Sequence, residues 1–130
     1  GRAKKADIPK YGIAQIKKNS KTSGLGLVEK IIEKPSIKKA PSNFYAVGRY
    51  IFNNDFFSYL SKVQPDKSNE IQLTAAIDNY IKDNNKVSAF SLDGEIFDCG
   101  DNAEYILANL EFAMKDPLMR TKIKNYLRTR

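Results

Sequence analysis

Apolar and polar positions alternate along several short stretches of the chain, a pattern that predicts β-strands. The predicted strands are Tyr11–Lys18, Leu27–Lys34, Phe44–Phe52, Val87–Leu92 and Glu95–Cys99. The last two are joined by Asp93-Gly94, which is typical of a tight hairpin turn. Residues 1–10 show little periodicity and are expected to be extended, whereas the polar, glycine-rich residues 19–26 predict a loop.

Other stretches carry apolar residues at helical spacing behind residues that favour a helix N-terminus. These N-terminal signals are Asn54 for a short helix, Asn69 with Gln72 and Asp101 with Glu104 for two longer helices, and Asp116-Pro117 for the last one. The second helix places its apolar face at Leu73, Ala76, Ile77, Tyr80 and Ile81. The order predicts an α/β domain over residues 1–130, with a mixed sheet, antiparallel hairpins and C-terminal helices, of which 116–130 is basic.

The composition excludes several classes of protein and of site. The sequence contains no His, so catalysis by a Ser-His-Asp or Cys-His arrangement is excluded. The lone Cys99 permits no internal disulfide and is expected to be a buried apolar residue. No stretch is long and apolar enough to span a membrane, and no secretory signal is recognisable, which predicts a cytoplasmic protein.

Charge is distributed unevenly, although the net charge of +7 by itself suggests a polyanionic partner. Residues 1–41 carry 11 basic against 3 acidic residues, residues 42–114 carry 5 against 11, and residues 115–130 carry 6 against 1. An acidic middle between basic ends is unlike the continuous basic stripe of a nucleic-acid-binding protein. We therefore expect no nucleic-acid partner, whereas a small phosphate ligand fits the basic N-terminal region.

Glu33-Lys34-Pro35 is the first candidate for a chemical site. Neighbouring side chains of a strand point to opposite faces, but a bend before the proline would let both polar heads reach one ligand. A carboxylate accepts hydrogen bonds from sugar hydroxyls, and an ammonium group neutralises phosphate. The alternative is a pair of exposed charges at a strand end, and the tripeptide alone favours this alternative.

Asp98-Cys99-Gly100-Asp101 is the second candidate, at the predicted junction of a strand and a helix. Asp101 is explained as a helix cap, whereas Asp98 could bind Mg²⁺ through its carboxylate. Asp98 could equally accept hydrogen bonds from the backbone amides that follow it in a turn. In Val47-Gly48-Arg49-Tyr50, Gly48 indicates a bulge or a close approach of another group, and Arg49 could hold phosphate or pair with an acidic residue.

Six segments in register resemble the C-terminal half of bacterial UTP–glucose-1-phosphate uridylyltransferases. They are Tyr11-Gly12-Ile13, Ile32-Glu33-Lys34-Pro35, Ala40-Pro41-Ser42-Asn43, Val47-Gly48-Arg49-Tyr50, Glu70-Ile71-Gln72-Leu73-Thr74 and Asp98-Cys99-Gly100-Asp101. The resemblance implies part of a Rossmann-like nucleotidyltransferase fold. It also implies formation of UDP-glucose and pyrophosphate from UTP and glucose-1-phosphate, in a cytoplasmic enzyme that uses Mg²⁺ and self-associates.

The same resemblance assigns roles to particular residues. Gly12 and Glu33 would hold glucose hydroxyls, Lys34 would be catalytic and contact the sugar-linked phosphate, Gly48 and Arg49 would adjoin the substrate, and Asp98 would bind the metal. Ser68-Asn69 and Ala75 depart from the family, which usually has Gly-Gly and Asp at these positions.

The family's N-terminal half carries a G-x-G-T-R loop, the uridine pocket and a second metal aspartate, and the 130 residues contain no G-x-G-T-R. The chain is therefore expected to supply half of a catalytic domain and to be inactive alone. The alternative is a non-catalytic regulatory or interaction module related to the same family.

Overall fold

The computed structural model of the protein describes residues 1–18 and 24–130. Most of the loop predicted over residues 19–26 therefore lies outside the described residues. The contacts divide the chain into two compact units, Gly1–Leu92 and Asp93–Arg130, and each is described by itself.

The first unit contains one antiparallel sheet, with the strand order β3-β1-β2-β4. Its strands are β1 (Ile13–Lys17), β2 (Gly26–Ile32), β3 (Phe44–Tyr45) and β4 (Ser88–Ala89). β1 and β2 confirm two predicted strands, and their register shifts at a bulge between Gln15 and Ile16. All pairings among the described strands are antiparallel, which is the hairpin component of the predicted α/β architecture.

Neighbouring residues of β1 are buried on opposite faces of the sheet, because side chains alternate along a strand. Ile13 packs with Ala3 and Ile8 in a small cluster. Ala14 and Ile31 belong to the larger core. The other buried members of that core are Phe56, Val63, Ala76, Ile77 and Tyr80. The end of β2 that leads to Glu33 is thus anchored in the main core.

The helices of the first unit are α1 (Phe57–Leu60), which follows a 3-10 turn over Asn54–Phe56, and α2 (Leu73–Lys82). α2 buries its predicted apolar face, since Ala76, Ile77 and Tyr80 are each at most 6% exposed. The predicted capping box at Asn69 is wrong, because α2 begins behind Gln72 without a side-chain cap. Asn54 is likewise not the cap, since Asn53 holds that position and caps with no side-chain hydrogen bond.

Several predicted strands are shorter than expected or absent. Of Phe44–Phe52 only the first two residues form a strand, and of Val87–Leu92 only Ser88–Ala89 does. Glu95–Cys99 forms no strand, so the predicted hairpin is wrong. A stretch of alternating apolar and polar residues forms a strand only where a neighbouring strand pairs with its backbone. Beyond Ala46, the stretch Phe44–Phe52 has no such neighbour among the described residues. Ile51 is consequently 99% exposed.

The N-terminal segment is also more ordered than expected. Lys5–Lys10 forms a 3-10 helix, and Ile8 within it is buried against β1. Arg2 pairs with Phe44 in an isolated antiparallel bridge. The N-terminal segment has too few apolar residues to show a periodic pattern in the sequence. Ala3 and Ile8 are nevertheless enough to pack it against the sheet.

The second unit consists of α3 (Asn102–Lys115) and α4 (Pro117–Arg128) behind a short irregular segment. Asp101 caps α3 by accepting hydrogen bonds from the backbone amides of Ala103 and Glu104. Asp116 caps α4 through the amide of Met119. Both helix starts were predicted from the sequence. Within the described residues, no helix combines the length and the apolar content required to cross a membrane.

Candidate functional site

Gly12, Glu33 and Thr74 interlock where β1 begins, β2 ends and α2 starts. The Thr74 hydroxyl donates a hydrogen bond of 2.9 Å to Oε2 of Glu33. A Cβ added to Gly12 would lie 2.8 Å from Cγ2 of Thr74 and 3.0 Å from the same Glu33 oxygen. Only glycine therefore fits at position 12 without displacing one of the other two side chains.

The backbone on either side of Gly12 is held by two further segments. The Lys34 amide donates to the carbonyl of Tyr11 at 3.0 Å, which extends the β1–β2 contact past the end of β2. The Ala46 amide donates to the carbonyl of Gly12, also at 3.0 Å. Gly12 is thus buried at a junction of three chain segments.

Lys34 has a left-handed backbone conformation, with φ of 41°. This conformation costs a residue with a Cβ about 1–2 kcal/mol, and such strain is concentrated at functional positions. The side chain of Lys34 is exposed, whereas the following Pro35 is buried. β2 ends at Ile32, so the strand predicted to run as far as Lys34 is two residues too long, and the chain bends at Glu33 and Lys34.

The loop before α2 is organised by the carboxylate of Asp66. Its Oδ1 accepts hydrogen bonds from the amides of Ser68 and Glu70 at 2.8 and 3.1 Å. Its Oδ2 accepts one from the side-chain amide of Gln72 at 2.9 Å. These bonds, Gln72 first, hold the pKa of Asp66 below its usual range, and the positive charge of Lys34 adds a smaller contribution in the same direction. Asp66 therefore fixes the shape of the loop that leads into α2.

The hydrogen bonds of Asp66 should make this loop sensitive to acid. A carboxylate with a lowered pKa stabilises the fold above its ordinary pKa, and that stability is lost as the pH falls through the lowered value. In an NMR titration, the amide signals of Ser68 and Glu70 should move together below the usual aspartate range. Asp66→Asn should abolish this titration, whereas Asp93→Asn in the second unit should leave it intact. Titration of both amides at an unshifted aspartate pKa, or in the Asp66→Asn variant, would contradict the assignment.

Tyr50 adjoins the same group of residues. Partial burial raises the pKa of the Tyr50 phenol, the negative charge of Glu33 raises it further, and a hydrogen bond with the backbone of Gly48 lowers it. A raised pKa means that the phenol keeps its proton and its capacity to donate a hydrogen bond. The negative charge of Glu33 thus acts on the ionisation of Tyr50.

The charge on Glu33 should be measurable through the ionisation of Tyr50. Glu33→Gln should lower the pKa of Tyr50, because it removes a negative charge that opposes formation of the phenolate. The pKa should nevertheless stay above the ordinary tyrosine value, since burial is the larger cause. The measurement is an NMR pH titration of ¹³C-labelled tyrosine, with Tyr50 assigned from Tyr50→Phe. Glu29→Gln, which alters an exposed glutamate of β2, is the matched control and should have no effect. An unchanged Tyr50 in Glu33→Gln would show that the two groups are not coupled.

Gly48 and Arg49 lie outside any strand, so the predicted bulge within a strand is wrong. Gly48 has φ of 79° with open space where a Cβ would be, and the requirement for glycine therefore comes from the backbone conformation. Arg49 is exposed, and its Nη1 lies 3.4 Å from the carbonyl oxygen of Gly48. Among the described residues Arg49 forms no ion pair, so the predicted pairing with an acidic residue is not found there.

Asp98 belongs to the second unit and lies in a turn. Its Oδ1 accepts a hydrogen bond of 3.1 Å from the amide of Gly100, and its carbonyl accepts one from the amide of Asp101 at 2.9 Å. This is the turn geometry that the sequence analysis left open as an alternative to metal binding. Cys99 is exposed, so the expectation that it is buried is wrong. Within residues 1–18 and 24–130, no three acidic or cysteine side chains come together as metal ligands.

A cavity of about 480 Å³ lies on the core side of the sheet in the first unit. It is lined by sheet residues such as Ala14 and Val28, by Arg49 and Tyr50, and by the segment around Phe90. Gly12, Glu33 and Thr74 are not among its lining residues. Gly12, Glu33 and Thr74 therefore lie outside this cavity, at the ends of the two inner strands of the sheet.

Thr74 and Asp66 were not singled out as site residues by the sequence. A signal for Thr74 existed, since it precedes Ile77 and Ile81 by three and seven residues and so shares the buried face of α2. Asp66 carried no such signal, because its hydrogen bonds depend on the fold of an irregular loop. In that loop Asn69 has φ of 61°, a conformation that asparagine tolerates better than most residues.

Comparison with known proteins places the chain in a family. A family model described as nucleotidyl transferase matches residues 1–115. The chain belongs to the nucleotidyl transferase family. A UTP–glucose-1-phosphate uridylyltransferase of Haemophilus influenzae is 37% identical over 125 residues, which are 94% of this chain and 41% of that protein. A uridylyltransferase of the same name from Staphylococcus saprophyticus is 35% identical over 102 residues, 78% of this chain and 35% of that protein.

Solved structures of nucleotidyl transferases have a similar fold. A UDP-glucose pyrophosphorylase in complex with UDP-glucose superposes with a TM-score of 0.79 at 32% identity, covering 88% of this chain and 42% of that one. A UTP-bound UDP-glucose pyrophosphorylase from Acinetobacter baumannii superposes with a TM-score of 0.76 at 28% identity. This match covers 97% of this chain and 42% of that one. The chain thus spans about two fifths of the length of these relatives. The fold class and the resemblance to uridylyltransferases are confirmed, whereas the assignment to the C-terminal half stays a prediction.

Proposed function

We propose that these residues form part of a UTP–glucose-1-phosphate uridylyltransferase and that Gly12, Glu33 and Lys34 bind its sugar phosphate. The observation that carries the proposal is the interlocked contact of Gly12, Glu33 and Thr74 beside an exposed lysine in a strained backbone conformation. The relatives named above support the substrates, since their names include UTP, glucose-1-phosphate and UDP-glucose.

Glu33 has the chemistry required to hold a sugar. Its Oε2 accepts the Thr74 hydroxyl, and its Oε1 accepts no hydrogen bond from any residue that the structure describes. A carboxylate oxygen accepts strong hydrogen bonds from hydroxyl groups. The absence of a side chain at Gly12 lets the Thr74 methyl group and the Glu33 carboxylate lie close to its backbone. We assign the glucose hydroxyls to Glu33 and to the backbone of Gly12.

Lys34 would act on phosphate. In the proposed reaction a phosphate oxygen of glucose-1-phosphate forms a bond to the α-phosphorus of UTP, and the bond from that phosphorus to pyrophosphate breaks. Negative charge is present on both reactants, so a cation that stays close to the sugar-linked phosphate lowers the barrier by positioning and by charge stabilisation. Lys34 supplies that cation next to Glu33, and the reaction requires no histidine.

Asp98 fits a role as one magnesium ligand. Mg²⁺ in nucleotide-binding proteins is commonly held by one or two carboxylates together with substrate phosphates and water. Asp98 is exposed, and its Oδ2 accepts no hydrogen bond from any residue in the described part of the chain. Asp98 would hold Mg²⁺ through this oxygen, and the ion would supply positive charge for phosphate oxygens. Arg49 and Gly48 are assigned to the substrate surface through their position next to Tyr50.

Three further features of the proposal follow from the family resemblance and stay predictions. The chain is predicted to be the C-terminal half of the enzyme. The enzyme is predicted to self-associate and to be cytoplasmic.

The test uses the complete gene product that contains residues 1–130. Incubated with UTP, glucose-1-phosphate and Mg²⁺, it should release pyrophosphate and form UDP-glucose in equal amounts. Omission of glucose-1-phosphate should abolish both products. Failure to form UDP-glucose under conditions in which the protein is folded would exclude the proposed activity and favour the non-catalytic module.

A further inference from the structure

Thr74 donates its hydroxyl to a distant carboxylate in the described structure. Ser42 and Tyr80 also donate to distant partners, but Ser42 donates to a backbone carbonyl, and the Tyr80 hydroxyl lies 3.4 Å from the Asp55 carboxylate. Among the described residues, Thr74 is the one polar side chain classed as buried, with 7% of its surface exposed. The hydroxyls of Ser58, Thr121 and Thr129 donate to backbone carbonyls three or four residues earlier, which is the common local arrangement. Thr74 instead donates to a carboxylate 41 residues away, on a different element.

The element that carries Thr74 is rigidly anchored. Ala76 and Ile77, which follow it in α2, are 0% and 2% exposed in the main core. A threonine side chain is also stiff at χ1, because its Cβ is branched. The hydroxyl of Thr74 is therefore a fixed donor that points at Glu33, whereas Glu33 itself lies beyond the last residue of β2 on a bent stretch of backbone.

We infer that Thr74 is a positioning residue that orients the Glu33 carboxylate for the sugar. By occupying Oε2, it selects the rotamer of Glu33 and leaves Oε1 to accept a sugar hydroxyl. The methyl group of Thr74 lies 2.8 Å from the point where a Cβ on Gly12 would be, and so packs beside the Gly12 backbone. This inference rests on the proposed function, because the sugar is the ligand for which Glu33 is oriented.

The test separates the hydroxyl of Thr74 from its volume. Thr74→Val keeps the shape and removes the donor, whereas Thr74→Ser keeps the donor and removes the methyl group. In the complete gene product, Thr74→Val should raise KM for glucose-1-phosphate by roughly tenfold or more, the effect of losing a hydrogen bond to a charged group. KM for UTP should remain unchanged, and Thr74→Ser, which keeps the donor, should raise KM for glucose-1-phosphate less than Thr74→Val does. Thr74→Ala serves as a second hydroxyl-free variant if the valine variant does not fold.

A spectroscopic measurement gives a readout that does not depend on turnover. The ¹³C signal of the Glu33 carboxyl carbon should shift in Thr74→Val and stay in place in Thr74→Ser. Equal signals in the two variants, or equal increases in KM for both substrates, would overturn the positioning role. If the parent protein forms no UDP-glucose, the proposed function fails, and the carboxyl signal still decides whether Thr74 orients Glu33.

Discussion

Alanine in place of Lys34 is expected to lower kcat/KM for UDP-glucose formation by about a hundredfold or more, the usual effect of removing one group that stabilises charge in a transition state. The loss should fall mainly on kcat if Lys34 follows the phosphate into the transition state. The fold should persist, because the Lys34 side chain is exposed and its backbone bond to Tyr11 does not involve the side chain. The measurement is steady-state kinetics together with the thermal midpoint of unfolding.

Lys30 provides a matched control for Lys34. It is an exposed lysine four residues earlier, within β2. Lys30→Ala removes the same charge from the same region and should leave kcat/KM unchanged. Equal losses in both variants would attribute the effect to general attraction of anions. Normal turnover in Lys34→Ala would remove Lys34 from the site.

Gly12→Ala should both destabilise the first unit and abolish sugar-phosphate binding. The added Cβ would lie 2.8 Å from Cγ2 of Thr74 and 3.0 Å from Oε2 of Glu33, so one of these side chains must move. Overpacking of a buried position of this kind costs about 1–3 kcal/mol. Displacement of Glu33 should remove affinity for glucose-1-phosphate beyond that cost. Chemical denaturation and the KM for glucose-1-phosphate measure the two effects separately.

A second substitution tests whether the clash with Thr74 causes the loss of stability in Gly12→Ala. Thr74→Ser removes Cγ2, which is the nearest atom to the added methyl group. The double variant Gly12→Ala, Thr74→Ser should therefore recover part of the stability lost in Gly12→Ala. Strictly additive effects of the two substitutions would show that the contact is not responsible.

The parts of the site that lie close together in sequence could partly be predicted. The strand before Pro35 was predicted in part: β2 forms, but it ends at Ile32, and the left-handed backbone of Lys34 is not the extended conformation that a following proline favours. The helix caps at Asp101 and Asp116 could be predicted because a cap depends only on residues within one helical turn. Local chemistry was sufficient for both caps.

Interactions between distant segments could not be predicted in this way. Thr74 and Glu33 are separated by 41 residues, and only the packing of α2 on β2 brings them together. The stretch Phe44–Phe52 has the alternation of a strand, but strand formation also requires a partner edge, which a pattern within one segment does not report. The hairpin predicted at Asp93-Gly94 is absent because Ser88–Ala89 pairs with β2 instead and Glu95–Cys99 forms no strand.

The departure at Ser68-Asn69 has a structural explanation. The family usually has glycines at these positions, and Asn69 has a positive φ of 61°. Asparagine is the residue that best replaces glycine in a left-handed conformation. Asp66 holds the surrounding loop through three hydrogen bonds, so its shape does not depend on the glycine. Ala75 is exposed, and nothing in the structure explains that substitution.

The central claim is that Gly12, Glu33 and Lys34 bind the sugar phosphate. The most direct measurement is a crystal structure of the complete gene product with UDP-glucose. We expect a glucose hydroxyl within about 3 Å of a Glu33 carboxylate oxygen and Nζ of Lys34 within about 3 Å of the sugar-linked phosphate. Ordered UDP-glucose bound elsewhere, with Glu33 still held by Thr74 and facing only solvent, would contradict this claim.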